Sequence, residues 1–150
     1  PMTLRWLFAW LHLLALGIGL GAVWMRARAL RGTLDTAGLR RVFAADNLWG
    51  LAAVLWIATG VWRAFGGLEK GTAYYVANPF FLAKMGLLAV VLALEVWPIV
   101  TLIRWRIRLA KGETVHTTAA PALARISVAQ AGLVVLMVLA ATALARGIGV

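Results

Sequence analysis

Residues 79–103 read PFFLAKMGLLAVVLALEVWPIVTLI, and this segment decides the fold of the chain. Lys84 and Glu95 are its only charged residues. About 20 consecutive, mostly apolar residues in a helix are enough to cross the hydrocarbon layer of a bilayer. The segment therefore predicts a membrane-spanning helix.

Three further stretches, 4–24, 42–62 and 123–144, are also long enough to span and have a similar apolar character. Together they predict an all-α, four-helix transmembrane bundle with helices over 4–27, 40–64, 79–108 and 122–146. These spans nearly exhaust the 150 residues, so we expect a single integral membrane domain over 1–150. The first span is too long for a signal-peptide core and its basic flank follows it, so we expect a retained helix. Pro1 before Met2 is typical of a residue left by tag cleavage, and we expect the natural chain to begin at Met2.

The composition excludes several classes of protein. The chain is 63% hydrophobic and 13% charged, which is typical of a membrane protein. The absence of cysteine excludes disulfides, thiolate metal sites, cysteine nucleophiles and thioether-attached haem. No nucleophile–base set or phosphate-binding glycine loop is visible, which leaves enzymatic activity an open question.

The net charge of +10 is concentrated next to two short connections. Ten basic residues are assigned to the loops after helix 1 and after helix 3: Arg26, Arg28, Arg31, Arg40, Arg41, Arg104, Arg106, Arg108, Lys111 and Arg125. Four lie on the other side: Arg5, Arg63, Lys70 and Arg146. Cytoplasmic loops carry the excess of Lys and Arg, so we expect both termini to be periplasmic. These charges predict contact with the lipid bilayer and not with nucleic acid.

Small and aromatic residues predict contacts at the helix surfaces. Gly17 and Gly21 form a small-xxx-small pair on helix 1, and Gly50, Ala53 and Gly60 offer a similar face on helix 2. We expect the Gly17 and Gly21 face to support a homodimer. The outer connection contains Gly66, Gly67, Gly71, Tyr74 and Tyr75, which predict a short interfacial loop.

Ionisable residues inside the spans are informative because each costs roughly 2.5–3.5 kcal/mol in hydrocarbon. His12 shares a helical face with Arg5, Gly19 and Arg26 through seven-residue spacing. Lys84 and Glu95 lie on nearly one stripe of helix 3, about 16 Å apart, so each needs its own partner. The candidate partners of Glu95 at its depth are Arg26, Asp46, Asn47, Ser127 and Gln130.

The outer half of the predicted bundle is cationic, since it contains His12, Arg63 and Lys84. Trp6, Trp10, Trp62 and Phe81 lie at similar depth. This group predicts a site for a planar, anionic molecule such as haem or a quinone. His12 is the candidate metal ligand of a haem b, and the position opposite it is either open or taken by Met85 or by the His12 of a second subunit.

Three other interpretations stay open at this point. His12 can simply make one interhelical hydrogen bond while Lys84 and Arg63 extend to the interface. Alternatively, Asp46, Glu95, Lys84 and His12 can line the polar path of a small transporter or channel. In the third interpretation the protein is an accessory subunit of a larger membrane complex.

The sequence also resembles two known families. ADNLWG at 45–50, TGVWRAFGGLEKG at 59–71, YYVANPFFLAKM at 74–85 and WPIVTLIRWR at 97–106 resemble a family of uncharacterised bacterial membrane proteins. That resemblance implies a bacterial inner membrane location. WLHLLALGIGLGAVW at 10–24 and FLAKMGLL at 81–88 are more distantly similar to the bacterial membrane protoporphyrinogen oxidase, which has a histidine on helix 1 and a lysine on helix 3. This second resemblance implies a haem or porphyrin site at His12 and Lys84.

Overall fold

The computed structural model describes residues 1–65 and 77–148. Four helices form there: α1 Met2–Leu30, α2 Thr36–Phe65, α3 Pro79–Ala110 and α4 Ala120–Ala145. All four are long and apolar enough to cross a membrane. The predicted all-α, four-helix fold is therefore confirmed. The expected interfacial loop, with its glycines and tyrosines, lies outside the described residues.

The helices run beyond most of the predicted limits, and side-chain caps mark the starts of α2 and α3. Asp35 accepts the Gly38 N–H at 2.8 Å and starts α2 earlier than the predicted residue 40. A side chain at Gly38 would overlap the Thr33 carbonyl oxygen, so this turn requires glycine. Asn78 caps α3 by accepting the Phe80 N–H at 2.8 Å. The helices contain 26 to 32 residues, or about 39–48 Å, so their ends extend past the roughly 30 Å hydrocarbon layer.

The four helices form a bundle with one loosely packed side. α1 packs against α2 and α4, and α3 packs against α4, whereas α2 and α3 approach one another closely at few positions. Gly19 of α1 packs closely against α2, because a Cβ at this position would be 3.4 Å from the Ala52 Cβ. The order around the bundle is therefore α2, α1, α4, α3, with the α2–α3 side most open.

The small residues do not all pack where their spacing indicates. A Cβ at Gly17, Gly21 or Gly50 would meet nothing within 4 Å, so these glycines make no close helix contact inside this chain. Gly19 and Gly60 do make such contacts. Gly17 and Gly21 instead line a shallow apolar groove on the outside of α1 and α4.

Apolar side chains cover the outside of the bundle as well as filling its inside. Leu13, Val54 and Leu139 are each about two-thirds exposed, at 64%, 66% and 67%. A helix that is hydrophobic all round is typical of a protein whose surroundings are lipid. The surface thus agrees with the membrane assignment made from the length and hydropathy of the helices.

Two apolar layers divide the interior along the bundle axis. We call the half nearer the chain termini the terminal half, and the half nearer the α1–α2 and α3–α4 connections the loop half. The central layer consists mainly of Ala15, Ala22, Val23, Trp49, Trp56, Val91, Ala131, Val134 and Met137. The second layer closes the loop half and includes Leu30, Leu39, Val42, Leu102, Trp105, Leu123 and Ala124. Polar side chains lie between these layers and again beyond the central one.

The description of Arg26 as a loop residue is wrong. Arg26 lies within α1 and is 0% exposed. Arg40, Arg104 and Arg106 likewise lie on helices and not in the connections. Basic residues near the carboxyl end of α3 favour the helix, because cations there oppose its dipole.

Candidate functional site

Arg26 is the centre of a polar cluster in the loop half. Its Nη1 donates to Asp46 Oδ1 at 2.8 Å and to Glu95 Oε2 at 2.9 Å. Its Nη2 donates to Glu95 Oε1 at 2.9 Å and to Gln130 Oε1 at 2.7 Å. Its Nε donates to Ser127 Oγ at 3.0 Å. These five residues, the Arg26 cluster, come from all four helices.

The Arg26 cluster is closed to further ligands. A guanidinium has five N–H groups, and the five hydrogen bonds of Arg26 use all of them. Gln130 Nε2 also donates to the Val91 carbonyl at 3.1 Å and to Glu95 Oε1 at 3.0 Å. A buried polar group that is fully hydrogen bonded stabilises one arrangement of its neighbours. The cluster therefore serves to hold the helices together.

A second arginine balances the charge of the cluster. Arg106 Nη2 donates to Asp46 Oδ2 and to Asn47 Oδ1, both at 2.8 Å, and its guanidinium lies 4.9 Å from the centre of the Phe43 ring. Arg26 and Arg106 thus face the carboxylates of Asp46 and Glu95, two cations against two anions. Of the candidate partners of Glu95, Arg26 and Gln130 bind it directly, and Asn47 binds Arg106 instead.

His12 occupies the terminal half, held by one face of α2. Its Nδ1 lies 2.8 Å from Thr59 Oγ1, and its ring stacks on Trp56 at 5.0 Å between centroids. Gly60 leaves the space for the imidazole, since a Cβ there would be 3.1 Å from His12 Cε1. Residues three and four apart share a helical face, so Trp56, Thr59 and Gly60 form one surface. His12 Nε2 has no hydrogen-bond partner among the described residues.

Lys84, on α3, is the second ionisable residue that contacts Trp56. Its Nζ lies 5.0 Å from the centre of the Trp56 ring, a cation–π distance. In the described part of the chain no carboxylate pairs with Lys84. The Trp56 Nε1–H is buried and also has no hydrogen-bond partner within residues 1–65 and 77–148. Trp56 therefore contacts both His12 and Lys84 while its own donor stays unsatisfied.

A cavity of about 430 Å³ brings these side chains together. All four residues predicted to bind a cofactor line it, namely His12, Arg63, Lys84 and Met85. The remaining lining is largely apolar and includes Leu16, Leu88 and Met137. The charged side chains that line the cavity among the described residues are the cations Arg63 and Lys84. Small-molecule sites are typically apolar pockets of about 300–1,000 Å³ with a few polar groups, as here.

Sequence reasoning missed two residues that contact His12 and misplaced three aromatic residues. Trp56 and Thr59 contact His12, and their 3-residue spacing on α2 was the available signal. Trp6, Trp10 and Trp62 do not line the cavity but are 64%, 52% and 45% exposed on the surface. Phe81 is buried and lines the cavity as its depth predicts.

The cavity and the Arg26 cluster are separate. His12 and Arg26 are 14 residues apart on α1, or about 21 Å, and the central apolar layer lies between them. Asp46 and Glu95 are bound by arginines and do not line the cavity. The side chains of the described residues thus form two polar groups and not one path across the bundle.

The cavity lining offers an imidazole, His12, and a thioether, Met85, as potential cofactor ligands. The described residues bring together no group of three His, Asp or Glu side chains that could hold a metal ion. One imidazole with a thioether, His12 with Met85, is instead an axial pair found in haem proteins. His116 is exposed between α3 and α4 and cannot reach His12 within one chain. Lys84 and Arg63 are suited to the carboxylates of a porphyrin.

The fold and the cavity together define a four-helix integral membrane protein with a cationic pocket between its helices. The family model described as "Predicted membrane protein (DUF2214)" matches residues 4–149, and the chain belongs to this family. No curated protein and no solved structure matches the chain.

Proposed function

We propose that this protein binds a planar, amphipathic, anionic molecule in the cavity of the terminal half. Haem b or a related porphyrin is the first candidate and a quinone the second. His12 Nε2 contacts the metal or an oxygen of the ligand, and Lys84 and Arg63 pair with its carboxylates or carbonyl oxygens. The observation that carries the proposal is the juxtaposition, in one cavity, of an imidazole nitrogen and a lysine that both lack polar partners among the described residues.

The energetics of burial support a ligand over a purely structural role. An unsatisfied polar group in an apolar interior costs about 1–3 kcal/mol, and a charged group costs more. Trp56 Nε1 is such a buried group, and His12 Nε2 and the half-buried Lys84 Nζ belong to the same cavity lining without hydrogen-bond partners among the described residues. A bound ring compound that carries several oxygen atoms would form hydrogen bonds with several of these groups at once. The structural interpretation explains the His12–Thr59 hydrogen bond but not this coincidence.

The test is to purify the protein in mild detergent from haem-replete cells. Its visible absorption is recorded oxidised and dithionite-reduced, and an organic extract is analysed for quinones. A Soret band that shifts on reduction supports haem, and stoichiometric quinone in a colourless sample supports the second candidate. A sample with neither pigment nor quinone contradicts the proposal and favours an accessory or transport role.

We also propose the orientation and assembly of the protein in the membrane. The exposed cations at the loop half, such as Arg28, Arg41 and Arg125, support a cytoplasmic loop half in a bacterial inner membrane, with both termini periplasmic. The outward groove at Gly17 and Gly21 supports a homodimer through α1. Cross-linking in native membranes should yield a dimer that Gly17→Leu abolishes, and an unchanged dimer would contradict this contact.

A further inference from the structure

The hydrogen-bond geometry of Thr59 determines which nitrogen of His12 carries a proton. The Thr59 Oγ1 lies 2.7 Å from the Leu55 carbonyl oxygen and 3.1 Å from that of Trp56. Carbonyl oxygens only accept, so the single hydroxyl hydrogen of Thr59 is donated to one of them. The bond between Thr59 and His12 at 2.8 Å then needs its hydrogen from the imidazole. Nδ1 is therefore the protonated nitrogen.

A neutral imidazole has one N–H, so Nε2 carries the lone pair. The ring has little freedom to turn, because Trp56 covers one of its faces and Gly60 packs against Cε1. Histidines that bind metals commonly donate their second ring N–H to a fixed acceptor, which sets both tautomer and orientation. Thr59 stands in the place of that acceptor here.

We propose that Thr59 is a positioning residue that holds His12 as the Nδ1–H tautomer, so that Nε2 offers a lone pair to the ligand of the cavity. This inference rests on the proposed function for the presence of a ligand and names its chemistry. The ligand meets Nε2 with an electron-pair acceptor, either a metal ion or a hydroxyl hydrogen. It also carries oxygen acceptors for the Trp56 Nε1–H and the Lys84 ammonium. A metalloporphyrin with carboxylates and a hydroquinone both have this pattern.

The tautomer is measured by ¹⁵N nuclear magnetic resonance of histidine-labelled protein in detergent. The chain has two histidines, and His116, which is exposed, provides the internal reference. The wild type should show the Nδ1–H form of His12. Thr59→Val should shift the ring toward the other tautomer or a mixture, and Thr59→Ser should retain the wild-type signal because it keeps the hydroxyl.

The matched control is Thr142→Val. Thr142 lines the same cavity, but its hydroxyl donates to Leu139 of its own helix at 2.9 Å. This variant should leave the His12 signal unchanged. An Nε2–H or doubly protonated His12 in the wild type would overturn the proposal. So would a Thr59→Val spectrum identical to the wild type, or a Thr59→Ser spectrum that resembles Thr59→Val.

A binding assay tests this inference separately from the proposed function. It also distinguishes a metalloporphyrin from a hydroquinone as the ligand. Haemin, metal-free protoporphyrin and decylubiquinol are titrated into each variant. Thr59→Val should weaken the preferred probe about tenfold, as loss of a supporting hydrogen bond does at metal sites, and Thr59→Ser should restore it. Preference for haemin over protoporphyrin indicates a metal at Nε2, and preference for the quinol indicates a hydroxyl. If none of the probes binds while the tautomer still depends on Thr59, the proposed function fails and the positioning role stands.

Discussion

Arg26 and His12 illustrate two different uses of a polar residue inside a membrane protein. Every donor of Arg26 has a partner within the protein, and its charge is balanced by carboxylates. His12 uses one ring nitrogen for the protein and leaves the other beside a cavity. A residue whose hydrogen bonds are all made within the protein holds helices together, whereas a residue with one free nitrogen beside a cavity is suited to a ligand. The two residues share one face of α1, so spacing alone does not distinguish them.

Replacing Arg26 with lysine should destabilise the bundle strongly. An ammonium has three donors in place of five and cannot form the paired bonds to Glu95, so buried oxygens lose their partners. We expect a loss of about 3–5 kcal/mol in the free energy of unfolding, measured by denaturation in mixed detergent micelles. Arg28→Lys, two residues away and exposed, is the control and should change stability by less than about 0.5 kcal/mol. Similar losses in the two variants would contradict the role assigned to the Arg26 cluster.

Gly60 and Gly50 provide a matched pair on α2. A Cβ at Gly60 would press on His12 Cε1 at 3.1 Å, whereas a Cβ at Gly50 would meet nothing within 4 Å. Gly50→Ala should stabilise the protein by up to about 1 kcal/mol through helix propensity. Gly60→Ala should destabilise it by roughly 1 kcal/mol through overpacking and displace the imidazole. Thermal unfolding checks both, and a Gly60→Ala variant as stable as Gly50→Ala would show that the contact is not tight.

At the scale of the helices, periodicity predicted much of the arrangement. The seven-residue spacing placed Arg5, His12, Gly19 and Arg26 on one face of α1; the last three are buried there, whereas Arg5 is exposed. The eleven-residue spacing of Lys84 and Glu95 likewise placed both side chains toward the interior. Depth and spacing suffice for such predictions because a helix in lipid is a regular rod. They do not specify which neighbour a long side chain reaches.

The wrong predictions at the scale of the helices also arise because spacing along one helix does not specify which neighbour a side chain contacts. A charge count along the chain treats Arg26 as a topology signal, although folding pairs it with Asp46 and Glu95. A small-xxx-small pattern identifies Gly17 and Gly21, but the bundle uses Gly19 instead. The contacts of Trp56 with both His12 and Lys84 depend on how α1, α2 and α3 are rotated about their axes. No local pattern contains that information.

Long cationic side chains of α3 contact α2 in both halves of the bundle. Lys84 reaches Trp56 in the terminal half, and Arg106 reaches Asp46 and Asn47 in the loop half. Arg106→Ala should therefore lower the free energy of unfolding by roughly 1 kcal/mol, a value reduced by the partial exposure of this arginine. Arg104→Ala, on the exposed face of the same helix, should have little effect. Equal losses of stability for Arg106→Ala and Arg104→Ala in the same denaturation assay would show that the contacts of Arg106 do not join α2 and α3.

At the scale of the whole molecule, the proposed orientation makes a direct prediction about accessibility. The chain lacks cysteine, so single cysteines can be introduced without background. Thr33→Cys lies in the α1–α2 connection, and Ile148→Cys follows α4. An impermeant maleimide added to intact spheroplasts should label Ile148→Cys at once and Thr33→Cys only after permeabilisation. The reverse pattern would invert the proposed orientation.

The interior contains the Arg26 cluster, which is closed to ligands, and the cavity beside His12, which is proposed to bind one. Substitution of His12 tests this assignment most directly. The measurement is the amount of bound haem or quinone per protein in the wild type, His12→Ala and His116→Ala, purified side by side. We expect the ligand to be lost or spectrally shifted in His12→Ala and unchanged in His116→Ala, since His116 lies in an exposed connection. Equal ligand content and identical spectra in all three proteins would contradict the role proposed for this cavity.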